Sequence, residues 1–174
     1  TYTSYAIHWD WNGNGDKTLW SWGWGGQGRL GLNNQTARSS PTQIGTGTDW
    51  SLVKGGAGMG FAINDSGELW AWGSNQGGKL GLNDVVFRSS PTQIPGTTWS
   101  WIDCSHSTVF ASKTDSSLWS WGYNASGQNG VNDNFAYPGS SNGRSSPIQI
   151  PGYWNLEALE LAPIPSRAGA ALKA

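Results

Sequence analysis

The sequence holds a single cysteine, Cys104, so no disulfide can close within the chain. It is also poor in charge. Charged residues make up 12% of it and nearly cancel, leaving a formal net charge of −1, where a globular protein has roughly 25% charged residues. No basic run appears, which argues against nucleic acid or an anionic membrane surface as partner. Apolar runs are short and interrupted, and none approaches the ~20 residues of a membrane-crossing helix. The first residue is Thr1 rather than Met and no signal-peptide pattern is present, so the chain is read as processed, trimmed or part of something longer. Acidic residues are few and scattered, and no Ser-His-Asp arrangement, zinc spacing or phosphate loop emerges. His106 stands too near Cys104 along the chain for a nucleophile–base dyad, so Cys104 is read as a small buried residue. No catalytic residue is assigned, and the chain is expected not to be an enzyme.

What the sequence does have is 13 tryptophans and 26 glycines, arranged in repeats. Leu69-Trp70-Ala71-Trp72-Gly73 is followed by a glycine-rich turn and by Lys79-Leu80-Gly81-Leu82-Asn83. The same phrase starts at Leu19, with Arg29-Leu30-Gly31-Leu32-Asn33 after it, and again at Leu118, with Gln128-Asn129-Gly130-Val131-Asn132. A second phrase keeps step with it: Arg38 to Ile44, Arg88 to Ile94 and Arg144 to Ile150. Starts 50 and then 49 residues apart fit a propeller blade or a solenoid unit.

Strand residues alternate faces, so Trp70 and Trp72 point one way and Leu69, Ala71 and Gly73 the other. One face is bulky and the other small, which suits copies stacked knob against hollow. Trp20, Trp22, Trp70, Trp72, Trp119 and Trp121 are therefore assigned to the core between units. The Ser-Ser-Pro element is expected to break regular structure, with Thr92-Gln93-Ile94 as a short strand after it. Trp50 to Val53 and Gly60 to Ile63 supply two more strands. About four short strands per period predict an all-β, four-stranded propeller blade.

These phrases resemble the repeats of the regulator-of-chromosome-condensation family, and the likeness recurs three times. The resemblance implies a β-propeller, usually of seven blades. The polar style of Arg88 to Trp99 is similar to repeat arrays of bacterial and marine phage proteins. Residues 1–152 are read as propeller repeats: 1–48 a partial first, 49–98 a second, and 99–152 a third with a loop insertion. Residues 153–174 are read as the start of a fourth unit and a C-terminal tail. The first repeat lacks its opening strand. Closed propellers have typically four to eight blades, so this partial ring is expected to be completed by other chains or by a missing part of the chain.

Two insertions carry the candidate sites. His8 to Thr18 contains Asp10, Asn12, Asn14 and Asp16, with Gly15 between the last two. This matches the start of a calcium loop, although Ser21 stands where the bidentate Glu belongs. A polar hairpin with Asn-Gly turns is the alternative. Calcium is the one cofactor the sequence suggests. The second insertion, Asn134 to Gly143, holds Phe135 and Tyr137. Together with Trp9, Trp11, Trp24 and Tyr123 these are aromatics outside the repeating strands. They are suited to stacking on a sugar or anchoring a protein contact, or else to packing their own loops.

The leading expectation is a structural or protein-interaction module of a virion, such as a tail, fibre or decoration protein, working with other copies or other virion proteins. Its location would be the virion or the extracellular space. A secreted carbohydrate-binding adhesin that recognises cell-surface glycan is the first alternative. A guanine-nucleotide exchange regulator and a tryptophan-based ultraviolet sensor, activities that the resemblance implies, are the others.

Overall fold

The computed structural model describes residues 2–10, 13–132, 143–154, 159–161 and 170–172. Three antiparallel sheets follow one another. The first contains β1 (Thr3–Trp9), β2 (Lys17–Gly23) and β3 (Arg38–Gln43). The second contains β4 (Trp50–Gly55), β5 (Met59–Asn64), β6 (Leu69–Gly73) and β7 (Arg88–Ile94). The third contains β8 (Trp99–Cys104), β9 (Thr108–Lys113), β10 (Leu118–Tyr123) and β11 (Gly143–Ile150). Each sheet pairs its strands in chain order, which is the meander of a propeller blade. Contacts between sheets gather at β1, β4 and β8, the side on which the sheets converge. Two short strands, β12 (Leu159–Leu161) and β13 (Ala170–Leu172), pair antiparallel in a separate two-stranded sheet, so part of the expected tail is a strand.

The alternation of β6 sets the packing. Leu69, Ala71 and Phe61 of the second sheet face Trp121, Ile102 and Val109 of the third in one buried cluster. Leu19 and Ile44 of the first sheet face Trp72, Ala62 and Trp50 of the second in another. The two tryptophans of a pair are not equivalent. Trp72 and Trp121 are fully buried, whereas Trp70 and Trp119 are half-buried. Trp22, at the position of Trp72, is also only half-buried, because no described sheet precedes its own.

The hollow that takes the indole is a glycine turn as much as a strand face. Trp72 donates its Nε1–H to the carbonyl of Arg29 at 3.1 Å, and Trp121 donates to Lys79 O at 3.1 Å. Gly31 and Gly81 lie directly under these rings; a Cβ on Gly81 would stand 2.9 Å from Trp121 Nε1. The glycine serves twice there, since its φ is +73°.

The two repeated phrases also dock on each other across units. Asn33 N–H donates to Ser89 O, and Asn83 N–H to Ser145 O, both at 2.7 Å. Both asparagines are left-handed, with φ of 58° and 61°, a conformation that asparagine tolerates better than most residues. Gly28 and Gly78 rest against the backbone of Ser89 and Ser145. The serine phrase therefore does not break the sheet, as the sequence suggested. β7 runs through it, and the ladder slips between Ala71–Thr92 and Gly73–Arg88 so that Ser89, Ser90 and Pro91 bulge toward the neighbouring unit. Proline has no ladder hydrogen to give, and the bulge asks none of it.

Position 71 shows the same economy in polar form. Ser21 and Ser120 occupy it in the other units, fully buried, and each donates its hydroxyl to a carbonyl of its own glycine turn, Leu30 O and Asn129 O, at 2.7 Å. A buried hydroxyl with a partner costs little.

The seat at Gly81 can be separated from left-handed strain alone. Gly77 has the same φ, +73°, but nothing lies within 4 Å of its Cβ position, and the first unit carries Gln27 there at φ 60°. Gly77→Ala is expected to cost about 1–2 kcal/mol. Gly81→Ala is expected to cost roughly 1–3 kcal/mol more, because the indole must move. Equilibrium urea unfolding of the two variants checks the difference.

Candidate functional site

Loops project from two opposite ends of the sheets. β1 pairs with β2 so that Thr3 faces Gly23 and Trp9 faces Lys17. Trp9 therefore sits at one end of the sheet and Trp24 at the other, roughly 20 Å apart along a seven-residue strand. The expected loop aromatics do not converge on one platform. Trp9 is 69% exposed, with the Lys17 ammonium 5.8 Å from its ring centre. Trp24 is exposed, with the Arg29 guanidinium over its ring, 4.0 Å from the ring centre. Tyr123 closes β10 at the same end as Trp24 and is half-buried. Trp11, Phe135 and Tyr137 lie outside the described residues.

The candidate calcium residues belong to the β1–β2 hairpin. Asp10 N–H donates to Asp16 O at 2.8 Å, which closes the hairpin neck, and Asn14 is exposed at its tip. Asn12 lies outside the described residues. Among the described residues, no group of three or more His, Cys, Asp or Glu side chains is placed to hold a metal ion.

The turn end carries a feature that sequence reasoning missed. Val85, Val86 and Phe87 form the tip of the loop leading into β7 and are 56%, 57% and 47% exposed. Their backbone is fixed from below. The Asp84 carboxylate accepts from Val86 N–H at 2.9 Å and from Asn75 Nδ2 at 2.8 Å, and it pairs with Arg88. Asn75 is itself buried and accepts from Leu80 N–H at 2.9 Å. Val85 and Phe87, with Gln76 and Gly77 of their own unit and Gln27 of the first, line a recess of about 480 Å³. The first unit has Gln35-Thr36-Ala37 at this place. Three apolar residues in a loop that is polar in its sister unit were the available signal.

Beneath the same end lies a polar cluster in which Arg29 and Lys79 are buried and Tyr5 and Cys104 half-buried. Tyr5 donates its hydroxyl to Arg29 O and sets its ring edge-on to Trp72. Arg29 and Lys79 occupy matching turn positions, both buried; Arg29 Nε donates to Gly26 O at 2.9 Å and Lys79 Nζ to Ala57 O at 2.8 Å. Burial, with the Arg29 charge behind it, lowers the Lys79 pKa. Burial raises that of Tyr5. Cys104 is pushed up to about 12, by burial first and by Asp103 second. A thiol so protonated is a poor nucleophile, and both cations are spent on turn carbonyls, so the cluster braces the turn.

Residues 16–63 and 66–112, more than half of the chain together, match the family model of the Regulator of chromosome condensation (RCC1) repeat. The matched repeat is out of phase with the sheets: the matches open just before β2 and just before β6, and close in β5 and β9, the second strands of the following sheets. The fold is similar to that of Prp20p from Saccharomyces cerevisiae (TM-score 0.68, 13% identity, covering 92% of this chain and 40% of that one). It is also similar to yeast RCC1 (Prp20) in complex with Kap60 (TM-score 0.65, 20% identity, 84% and 35%). Human WBSCR16 is similar to the same degree (TM-score 0.65, 19% identity, 87% and 37%). The chain thus spans about two fifths of the length of these structures. No curated protein matches it in sequence.

The raised thiol pKa has a stability consequence. The folded state favours the neutral thiol, so its contribution is intact below the unfolded value of about 8.5 and is lost as pH rises from there toward 12. Stability of the wild type is expected to fall more steeply than that of Cys104→Ser between pH 8.5 and pH 10. Urea unfolding at stepped pH reads this slope. Native protein should also resist thiol labelling at pH 8 and react at the free-cysteine rate once unfolded.

Proposed function

We propose, for a chain that belongs to the regulator of chromosome condensation (RCC1) repeat family, that it is a non-enzymatic structural module whose turn-end loops hold another protein. The observation that carries this reading is the exposed Val85-Val86-Phe87 tip over its recess. An apolar tip with a braced backbone loses little entropy when it is covered, which is what a contact anchor requires. The structural neighbours supply precedent: Prp20p has binding properties toward Gsp1p and histones, and yeast Prp20 has been seen bound to Kap60. In the cluster of Tyr5, Arg29, Lys79 and Cys104 the first three each hold a backbone carbonyl, which supports a bracing role rather than a catalytic one.

The finer part of the proposal is a virion component, such as a tail, fibre or decoration protein, with other copies or other virion proteins as partners. Its support is the polar style of the repeats and the scarcity of charge. A photo-crosslinking residue at Val86 tests both parts. In intact particles of the source it is expected to trap one discrete particle protein, and Phe87→Asp is expected to abolish the product while leaving the melting temperature within about 2 °C of wild type. Absence of the chain from purified particles would end the virion reading. Crosslinking that persists unchanged in Phe87→Asp would end the assignment of the tip.

A further inference from the structure

A groove of about 430 Å³ separates the second and third sheets on their outer side, away from the apolar tip's recess. Its inner wall holds Trp99 and Trp119, set edge to face with ring centres 5.9 Å apart. The Lys113 ammonium lies on both rings, 4.8 Å from the first and 4.5 Å from the second. Trp99 is 2% exposed, and its Nε1–H is buried without a hydrogen-bond partner. A Cβ built on Gly96 would meet two atoms within 4 Å, Trp99 Nε1 at 3.7 Å and Lys113 Nζ at 3.8 Å. The space beside Gly96 is thus faced by an indole donor and an ammonium donor.

Among the described residues no carboxylate lines the groove, although the exposed Asp115 carboxylate attracts the Lys113 charge; the groove's other cation, Arg88, is committed to Asp84 and to Val86 O. The sister corner between the first and second sheets has the same unpartnered indole donor, that of Trp50, but a loop one residue longer before it and a different residue opposite it. Lys113, which pairs with Trp99, is replaced there by Asn64, which pairs with Trp50 and is held by Glu68. An unpaired buried donor beside an ammonium favours an anionic acceptor, and a charge-assisted bond in such a corner is about twice as strong as a neutral one. Around the corner, half-buried Trp119 gives a flat apolar wall, and Asn83, Thr92 and Gln93 give a rim of amides and a hydroxyl. A flat wall, a polar rim and a single anion seat together fit a sugar ring bearing a carboxylate.

We propose that the groove between the second and third sheets binds an acidic saccharide, with the carboxylate of a uronic acid residue seated beside Gly96 between Lys113 Nζ and Trp99 Nε1–H. This inference stands apart from the protein-contact reading of the apolar tip, and either can fail without the other. The test is titration of the full chain with trigalacturonate, followed by calorimetry and by the Trp99 indole N–H resonance. The neutral galactose trimer, acetate and a Glu-containing tripeptide are run alongside. Trigalacturonate is expected to bind, to shift the Trp99 indole signal, and to weaken as salt is raised. Lys113→Asn, which restores the residue of the sister corner and is checked for an unchanged fold by circular dichroism, is expected to weaken it about tenfold or more. No binding of trigalacturonate at millimolar concentration overturns the proposal. So does equal affinity for the neutral trimer, for acetate or for the peptide, and so does binding that Lys113→Asn leaves intact.

Discussion

One contact repeats wherever two sheets meet: the second indole of a unit lies over a glycine of the unit before and gives its N–H to the carbonyl two residues ahead of that glycine. It joins three requirements in one place. The ring needs burial, its nitrogen needs an acceptor once buried, and the backbone under it needs to come closer than any side chain would permit. Only a glycine at positive φ, one turn after the strand pair, meets all three. The spacing between Trp22 and Gly31, or Trp72 and Gly81, is thereby fixed, and with it the length of the repeat. A single unit carries both halves of the contact but cannot join them to each other. Stability is then a property of neighbours, as in other repeat architectures.

The Trp-x-Trp-Gly phrase and its period made the fold legible in the sequence. Alternation alone gave the facing of Trp72 toward one neighbour and Leu69 toward the other. The different fates of the two tryptophans were not legible, because both obey the same period; Trp72 is the one that the glycine turn of the unit before covers. The role of the serine phrase was misread for a related reason. Pro91 signals the end of a strand to local reasoning, yet the irregular stretch is a bulge whose Ser89 carbonyl receives Asn33 of the unit before, a partner some fifty residues away. The reason Trp70 lacks the indole bond of its sisters is by contrast local, two residues away. Trp20 and Trp119 donate to Thr18 and Ser117 at 2.8 Å, and the second unit has Glu68 there.

Of the candidate site, the sequence located the loops better than it chose the residues. Tryptophan and tyrosine drew attention to Trp24, which lies against Arg29, and the equally exposed tip of Val85 to Phe87 was passed over. Comparing each loop with its sister, rather than ranking residues by type, would have found the tip. The same comparison singles out Lys113 against Asn64. In a repeat protein, function is more legible in departures from the period than in the period itself, since what recurs is already spent on packing. The buried pair Arg29 and Lys79 illustrates the converse: two cations recur at one position and serve to hold turn carbonyls.

Native-state hydrogen exchange of the indole N–H groups tests the packing account most directly. If the sheets are held by the indole seats, Trp72 and Trp121 exchange only through global unfolding, with one shared free energy and one shared dependence on denaturant, while Trp9 exchanges at the rate of a free indole. Fast exchange of Trp121 at zero denaturant, or opening of Trp72 and Trp121 with separate free energies well below that of global unfolding, would contradict it.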